Sequence, residues 1–401
     1  MNKVPILSDE QNVIVDRVAT NNIVVDAVAG SGKTTAILHI AIRYNNYNIL
    51  LLTYNAKLKT YTKQEAKKLN LENIEIHNYH SFCVKYYDRP CQTDTKMASI
   101  LQNNTNSNIE NKYDIILVDE AQDISPLYYS LICKINKNFG KSTTVFCILG
   151  DKYQSIYKFN CADNRFIKCA DKLFNFNDKP WSYLKLSTSF RVTNHMAKFL
   201  NECVLRQDRI NSNKPGPKVK YIVCDVFKKS TIGKISYEPF NQVQMYLKKF
   251  KPGDIFILSP SIKSTNSPIR LLAKMLESSL PIYISGEKEQ KLDPEMIKDR
   301  IVFSNFHQVK GLERDVVIVF NFDDSYYKYY KKNEPKEICP NDMYVALTRS
   351  KQHLTLLHHY QNDYLEFLDV SKLKNSTELI VKNKIYKKPK KLFTKTLYVD
   401  E

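Results

Sequence analysis

Ile23-Val24-Val25-Asp26-Ala27-Val28-Ala29-Gly30-Ser31-Gly32-Lys33-Thr34 is the stretch of this 401-residue sequence that decides its fold. The β-branched run at its start predicts a strand, and residues 33–42 have the pattern of a helix. A glycine-containing loop between a strand and a helix can bind phosphate. Gly30 and Gly32 let backbone N–H groups approach its oxygens, and the helix N-terminus adds partial positive charge. Lys33 can reach the β- and γ-phosphates and Thr34 can hold Mg²⁺, so the stretch predicts a nucleoside triphosphate site.

A pair of acidic residues supports hydrolysis at this site. Asp119 and Glu120 follow the apolar run at residues 115–118, which predicts another buried strand. At the end of that strand Asp119 can bind Mg²⁺, and Glu120 can activate the attacking water. The pair therefore predicts hydrolysis of the bound triphosphate.

Continuous apolar runs alternate with helical patterns along most of the chain. In the first part such runs occupy residues 49–52 and 145–149. After Trp181 the same alternation begins again, with apolar runs at 219–223, 255–258, 282–284, 301–304 and 316–320. Strands that are apolar throughout are typical of parallel sheets covered on both faces. The sequence predicts an α/β protein with a first lobe at 1–180 and a second at 181–368. Residues 369–401 are predicted to be a mostly disordered basic tail, because 372–395 hold nine lysines against Glu378 alone.

Composition limits the class of protein and its partners. The 60 basic residues exceed the 42 acidic ones, giving a formal charge of +18. This excess favours a polyanionic partner, although solubility alone is an equal explanation. No apolar run is long enough to cross a membrane and no signal peptide pattern opens the chain. We expect a soluble intracellular protein of the cytoplasm or nucleus, in the host cell if the source is a virus.

Two further patterns concern cysteine and arginine. The nine cysteines form no C-x-x-C pair, but His77, His80, Cys83 and Cys91 have a spacing that a metal could use. Only 11 of the 60 basic residues are arginines. Arginine should therefore stand where its planar fork is needed and lysine would not serve.

Several ordered motifs follow the phosphate loop. They read Asp119-Glu120-Ala121-Gln122-Asp123, Gly150-Asp151-x-x-Gln154-Ser155-Ile156-Tyr157, His307-x-x-Lys310-Gly311-Leu312-Glu313 and Val345-Ala346-Leu347-Thr348-Arg349. This set strongly resembles superfamily 1 helicases of the UvrD/Rep group and is also similar to the F-box DNA helicases. The resemblance covers residues 7–357. It implies two RecA-like P-loop lobes with parallel sheets flanked by helices, and an ATP site in the cleft between the lobes.

The resemblance also assigns roles around the nucleotide. It implies that ATP is bound by Gln11, Ala29, Gly30, Ser31, Gly32, Lys33, Thr34, Thr35, Phe190, Gly311 and Glu313. It implies that Mg²⁺ is bound by Thr34 and Asp119, and that catalysis depends on Lys33, Asp119, Glu120, Gln154, Arg191 and Arg349.

Individual roles follow from the matching positions. The resemblance implies that Gln11 reads adenine, although Ser8-x-x-Gln11 is also a helix capping box. Phe190 replaces the tyrosine that stacks on adenine in the family. The resemblance implies that Gln154 senses the γ-phosphate and that Glu313 lies near the sugar.

Arg191 and Arg349 match the two arginines that reach across from the second lobe. A guanidinium fork there stabilises charge that spreads over the transferring phosphoryl group.

A second group of residues is implied to contact nucleic acid: Tyr54, Asn55, His80, Tyr157, Phe159 and His307. Rings at such positions stack on bases regardless of sequence. Each aromatic residue taken alone is more often part of a core. For His80, strand contact is the alternative to the metal cluster.

The chain lacks room for the two subdomains that larger family members carry. Only about thirty residues separate Cys83 from Tyr113, and residues 285–300 form a short connection. The expected function is an ATP-dependent helicase or translocase on single-stranded DNA or tailed duplex, moving 3′ to 5′. A protein partner is expected to assist unwinding. The alternatives are an RNA-directed motor and an ATP-dependent binding switch that does not step.

Overall fold

The computed structural model describes residues 4–54, 56–88, 90–157, 161–227, 237–286 and 292–382, with the side chain of Lys57 left out. The chain forms two compact units, Met1–Phe190 and Arg191–Glu401. Each unit is described by itself.

The first unit is built on a six-stranded parallel sheet of order β3-β2-β4-β5-β1-β6. Its strands are β1 (Asn22–Ala27), β2 (Ile49–Thr53), β3 (Ile74–His77), β4 (Tyr113–Asp119), β5 (Gly140–Gly150) and β6 (Trp181–Leu186). Its helices are α1 (Asp9–Arg17), α2 (Lys33–Arg43), α3 (Ala56–Lys68), α4 (Tyr79–Tyr86), α5 (Asp94–Gln102), α6 (Pro126–Phe139), α7 (Arg165–Lys168) and α8 (Ala170–Leu173).

Alternate side chains of each central strand enter two separate cores. On β4, Ile116 and Val118 pack into the core that holds α4 and α6, whereas Ile115 and Leu117 pack into the core that holds α1 and α2. All four are fully buried, which explains why β4 is apolar throughout. Since the strands are parallel, the carboxyl ends of β1, β2, β4 and β5 lie at one edge of the sheet.

The second unit is built on a seven-stranded parallel sheet of order β13-β7-β12-β11-β8-β10-β9. Its strands are β7 (Val219–Cys224), β8 (Ile255–Ser259), β9 (Ile282–Ile284), β10 (Ile301–Asn305), β11 (Arg314–Val319), β12 (Ser350–His359) and β13 (Thr377–Val381). Its helices are α9 (Asn194–Phe199), α10 (Glu238–Leu247), α11 (Pro268–Leu276), α12 (Pro294–Ile297), α13 (Asn341–Leu347) and α14 (Leu373–Ser376), with a π-helical turn at Leu200–Leu205.

The prediction of two α/β lobes with parallel sheets flanked by helices is confirmed. The predicted apolar runs all coincide with central strands or with β9. Within the described residues, no helix has the length and apolarity needed to span a bilayer.

Two predicted boundaries are corrected. The end of the first lobe, predicted at residue 180, lies instead at Phe190, because β6 continues the first sheet and pairs with β1 from Asn22–Trp181 to Ala27–Leu186. The predicted disordered tail begins too early. Residues 373–381 form α14 and β13, and β13 completes the second sheet by pairing with β7. The remainder of that tail, from residue 383, lies outside the described residues.

A buried arginine at the start of β11 links three segments of the second unit. Arg314, at the start of β11, donates to the carbonyl oxygens of Ile255 at 3.0 Å, Arg300 at 2.5 Å and Ile297 at 2.5 Å. Its guanidinium also lies 4.6 Å from the centre of the Phe256 ring. Burial lowers the pKa of Arg314 to about 10, which leaves it charged at neutral pH. One side chain thus ties together three segments around β8, β10 and β11.

We predict that Arg314→Leu lowers the free energy of unfolding by about 3 kcal/mol, because buried carbonyl oxygens lose a charged donor. Urea unfolding followed by circular dichroism measures the change. The control is Arg300→Leu, whose side chain is exposed and whose backbone carbonyl stays in place; it should change stability by less than about 0.5 kcal/mol. Equal stability of the two variants would show that the Arg314 contacts contribute nothing.

Candidate nucleotide site and strand-binding surface

The loop between β1 and α2 has the backbone geometry that the sequence predicts. Gly30 and Gly32 adopt φ angles of 73° and 79°, which side chains with a Cβ rarely tolerate. Ser31 is buried between them, and its hydroxyl has no hydrogen-bond partner among the described residues. Lys33, Thr34 and Thr35 then form the first turn of α2. The loop and helix N-terminus therefore offer the donors that a phosphate group needs.

Lys33 is surrounded by carboxylates at the carboxyl edge of the sheet. Its Nζ lies 3.2 Å from Glu120 Oε1. Burial disfavours the charge, but Glu120, Asp119 and Asp151 outweigh that effect and hold the pKa of Lys33 above its ordinary value. Lys33 is therefore a permanent cation beside the loop.

Asp119 ends β4 and is almost completely buried. Burial raises the pKa of its carboxyl to about 7, although the Lys33 charge and the N–H of Glu120, 2.8 Å from Oδ1, act in the opposite direction. A carboxylate that is costly to ionise alone is a ready ligand for a cation.

Glu120 stands in a strained conformation just after β4. Its φ of 56° is in the left-handed region. Gln122 Nε2 donates to Glu120 Oε2 at 2.5 Å, and Gln122 Oε1 accepts from the N–H of Asp151 at 3.0 Å. Gln154 Nε2 in turn donates to Asp151 Oδ2 at 2.9 Å. Gln122 thus joins the loop after β4 to the loop after β5, and the predicted catalytic residues Glu120 and Gln154 belong to one network.

Sequence reasoning left Gln122 and Asp151 out of the site. Both stand in the motifs that were recognised, so the signal was present. They can connect the two loops only because β4 lies beside β5 in the sheet, and the sequence does not show that order.

The donor set fits Mg²⁺, which prefers hard oxygen ligands. Thr34 supplies a hydroxyl from α2 and Asp119 supplies a carboxylate from β4. The hydroxyl of Thr53, in register with Asp119 across β2 and β4, is also buried and has no hydrogen-bond partner within the described part of the chain. Buried oxygens therefore collect at the edge where the ion is expected.

Gln11 attaches α1 to the phosphate loop. The capping box is present, since Ser8 N donates to Gln11 Oε1 at 2.9 Å and Gln11 N donates to Ser8 Oγ. Gln11 Nε2 donates to the carbonyl oxygens of Ser31 at 3.1 Å and Gly32 at 3.2 Å. The capping interpretation is thus confirmed, and recognition of adenine by Gln11 stays a prediction.

Phe190, like Gln11, contacts the phosphate loop. Its N–H donates to the carbonyl oxygen of Gly30 at 2.9 Å, and its ring is 56% exposed. A Cβ added at Gly32 would lie 3.7 Å from the Phe190 ring. The structure therefore brings Phe190, Gln11 and the loop together.

A second group of predicted residues meets within the second unit. Arg191 Nε donates to Glu313 Oε2 at 2.6 Å, and Arg191 Nη1 donates to the carbonyl oxygen of Thr348 at 3.3 Å. Arg349 is buried and donates to the carbonyl oxygens of Val345 and Leu312. Gly311, which precedes Leu312, has a φ of 80°. Both predicted arginines thus lie at one cluster with Glu313.

Aromatic rings form a row on the first unit. The rings of Tyr54 and Tyr157 stack at 5.3 Å, and the Tyr54 ring meets that of Tyr128 edge-on at 6.0 Å. Tyr128 stacks on Tyr79 at 4.4 Å and lies 6.0 Å from the ring of His80. We call these five residues the aromatic row. It brings together Tyr54, Tyr157 and His80, the three residues of this unit that were predicted to contact nucleic acid and are described.

The other predicted contacts are placed differently. Asn55 and Phe159 lie outside the described residues. His307 is half-buried in the second unit, just after β10, and its N–H donates to Asn305 Oδ1 at 3.0 Å.

Tyr128 was missed by sequence reasoning. It lies two residues into α6, beyond the recognised acidic motif, and nothing in its immediate sequence marks it. Its hydroxyl donates to Asp94 Oδ1 at 3.1 Å, and the same oxygen lies 3.0 Å from His80 Nε2. Its position between Tyr54 and Tyr79 follows from packing of α4 against α6.

The alternative metal cluster does not form. Among the described residues, no group of three or more His, Cys, Asp or Glu side chains is arranged to hold a metal ion. His77 bonds to Glu75 and Ser81, and His80 bonds to Asp94. Cys83 and Cys91 are both buried.

We predict that Gly32→Ala weakens binding of magnesium-ATP roughly tenfold or more, since a left-handed alanine costs about 1–2 kcal/mol. Its Cβ would also lie 2.5 Å from Gln11 Nε2 and displace that side chain. Titration with a fluorescent ATP analogue measures the affinity. Gly286→Ala is the control, because a Cβ at that position meets nothing within 4 Å. Unchanged affinity in Gly32→Ala would exclude the loop as the binding site.

Comparisons with known proteins agree with this geometry. A family model described as an AAA domain matches residues 10–160. The chain is 24% identical to the ATP-dependent DNA helicase R568 of Acanthamoeba polyphaga mimivirus over 403 residues, covering 90% of this chain and 54% of that protein. It is 39% identical over 95 residues to F-box DNA helicase protein 1 of Schizosaccharomyces pombe, covering 23% of this chain and 9% of that protein. The chain thus spans about half the length of the first relative and a small part of the second.

One solved structure, the arterivirus nonstructural protein 10 helicase, covers 86% of this chain and 61% of its own at 11% identity and a TM-score of 0.43. The assignment does not depend on that likeness. It depends on the ordered motifs, on the two sheets that carry them and on the sequence matches. On these grounds the chain is similar to the UvrD/Rep-like group of superfamily 1 helicases.

Proposed function

We propose that this protein hydrolyses ATP and uses the energy to move along single-stranded DNA in the 3′ to 5′ direction. The observation that carries the proposal is the arrangement of Lys33, Asp119 and Glu120 at one edge of the first sheet. It combines a permanent cation, a metal ligand and a base beside a phosphate loop, which are the parts that phosphoryl transfer needs.

Each of these residues has a distinct task in the proposed reaction. The loop N–H groups and Lys33 bind the phosphate oxygens. Mg²⁺, when bound by Thr34 and Asp119, neutralises charge on the outer phosphates. Phosphate oxygens compete with Glu120 for the ammonium group of Lys33, so substrate binding frees the Glu120 carboxylate to take a proton from the attacking water. Gln122 holds Glu120 in place during that step.

Arg191 and Arg349 are proposed to stabilise the transferring phosphoryl group. Both are held by hydrogen bonds within the second unit, and Arg191 is oriented by the Glu313 carboxylate. Such preorganised forks lower the barrier more than mobile lysines would, because little side-chain entropy is lost on binding.

We predict that Lys33→Ala and Glu120→Gln both abolish DNA-stimulated ATP hydrolysis, but by different routes. Lys33→Ala should weaken ATP binding, because a phosphate loses its cation. Glu120→Gln should bind ATP and fail to activate water, with a loss in turnover of about 10²–10⁴-fold. A phosphate-release assay and nucleotide titration measure the two effects.

Exposed residues elsewhere in the first unit supply matched controls for these variants. Lys137→Ala and Glu110→Gln remove a charge of the same kind from the surface and should keep both properties. Normal turnover in Lys33→Ala and Glu120→Gln would contradict the site assignment.

The aromatic row supports single-stranded nucleic acid as the partner. Ring stacking on bases contributes about 1–3 kcal/mol per base and does not require a particular sequence. The formal charge of +18 supplies long-range attraction to phosphates. Both curated relatives reported above are named DNA helicases, and for this reason we propose DNA rather than RNA.

We predict that Tyr54→Ala weakens binding of a single-stranded oligonucleotide roughly tenfold, because a stacking surface is lost. Fluorescence anisotropy at fixed salt measures the dissociation constant. Tyr61→Ala is the control: this tyrosine on α3 is 54% exposed and lies outside the row. Equal affinities of the two variants would place the strand elsewhere.

Comparison of DNA with RNA in the same assay tests the choice of nucleic acid. Strong stimulation of ATP hydrolysis by RNA alone would favour an RNA-directed motor. Tight ATP-dependent binding without stimulation by either would favour a switch that does not step. Duplexes with a 3′ or a 5′ single-stranded tail test direction, and unwinding only of the 5′-tailed duplex would reverse the proposed polarity.

The short connections bear on unwinding. Among the described residues between α4 and β4, only the nine-residue helix α5 stands in place of a domain, and α12 of four residues precedes β10. We propose that the protein translocates by itself and that a protein partner assists separation of long duplexes. The same tailed duplexes, extended in steps, measure how far the protein unwinds alone.

A further inference from the structure

The carboxylate of Glu10 makes three hydrogen bonds to a segment distant in sequence. Glu10 Oε2 accepts from the N–H groups of Ser187 at 2.9 Å and Thr188 at 3.2 Å, and Oε1 accepts from the Ser187 hydroxyl at 2.5 Å. These N–H groups lie just beyond β6, which ends at Leu186. Glu10 therefore satisfies two backbone N–H groups just beyond the end of β6.

The following two residues are attached to the phosphate loop. The Ser189 hydroxyl donates to the carbonyl oxygen of Ala29 at 2.7 Å, and the N–H of Phe190 donates to that of Gly30 at 2.9 Å. Residues 187–190 are thus fixed at one end by α1 and at the other by the loop. The side chain that this segment presents is the ring of Phe190.

The Phe190 ring is poorly explained as part of a core. It is 56% exposed, although its backbone N–H is bonded to Gly30 of the phosphate loop. An exposed aromatic face beside a phosphate-binding loop is suited to stack on the base of a bound nucleotide. Its usefulness depends on the backbone being held, because a ring on a mobile segment loses entropy when it binds.

We infer that Glu10 is a positioning residue for the nucleotide base. Its carboxylate fixes the segment that carries Phe190 and so sets the affinity for the base without touching the phosphates. This inference rests on the proposed function, since it requires that the loop bind a nucleotide. It assigns a role to a residue of α1 that lies next to Gln11, the predicted adenine reader.

The distinguishing measurement compares ATP with inorganic tripolyphosphate, which has the phosphates and lacks the base. Glu10→Ala should weaken ATP binding roughly tenfold, in line with loss of hydrogen bonds to a charged group. It should change tripolyphosphate binding less than about twofold, because the loop and Lys33 remain. Isothermal titration calorimetry of the full chain with Mg²⁺ gives both affinities.

Asp9→Ala is the matched control. Asp9 is exposed and occupies the first turn of the same helix, so its removal costs the same charge near the helix N-terminus without loosening residues 187–190. It should leave both affinities within about twofold. Glu10→Gln, which keeps the shape of the side chain, provides a second variant if Glu10→Ala does not fold.

A double-mutant cycle with Phe190→Ala tests whether Glu10 acts through the ring. If it does, the Glu10 substitution should have little further effect on ATP binding once the ring is absent. Equal weakening of ATP and tripolyphosphate, or additive effects of the two substitutions, would overturn the inference. Failure of the unaltered protein to bind either ligand would instead overturn the proposed function, and the inference with it.

Discussion

The candidate nucleotide site depends on the charge balance around Lys33. A buried ammonium group is unfavourable unless nearby carboxylates compensate it. The compensating groups come from different places in the sequence: Asp119 and Glu120 follow β4, Asp151 follows β5, and Lys33 follows the loop after β1. They meet only because β4, β5 and β1 are adjacent in the sheet. The order of the strands therefore brings the compensating charges together, in addition to allowing the cores to pack.

The same charge balance explains the raised pKa of Asp119. Burial alone makes its ionised form costly, and the neighbouring Glu120 adds to that cost. Lys33 offsets part of it, and a divalent cation would offset the rest. The carboxylates and the proposed cation-binding site are thus parts of one arrangement, and removing one charge disturbs the protonation of the others.

Central strands could be predicted from the sequence, whereas three edge strands could not. The central strands of both sheets are apolar throughout because both faces are covered. By contrast β3, β6 and β13 are edge strands. In β6 and β13 polar residues alternate irregularly with apolar ones, and most of their side chains are partly exposed. Such short, polar segments give no continuous apolar run. This is why the first lobe was ended too early and the tail was begun too early.

For the site, sequence motifs predicted residues that the fold brings together within each unit. Lys33, Asp119, Glu120 and Gln154 form one network, and Arg191 meets Glu313 and Thr348 in another. What the motifs could not give were contacts made by ordinary residues placed by packing. Tyr128 joins the aromatic row because α6 lies beside α4, and Glu10 reaches residues 187–188 because α1 lies against β6. These residues carry no recognisable local pattern.

The backbone at Glu120 has a consequence for how this sequence can change. Its left-handed conformation costs about 1 kcal/mol for any residue with a Cβ, and glycine would remove that cost. Folding stability by itself would thus favour glycine at position 120, at the expense of the carboxylate that we propose as the base. If Glu120 is the base that we propose, selection for turnover and selection for stability act in opposite directions at this position. On that proposal, a screen for thermal stability alone would drift toward variants that fold better and have lost the proposed ATP hydrolysis.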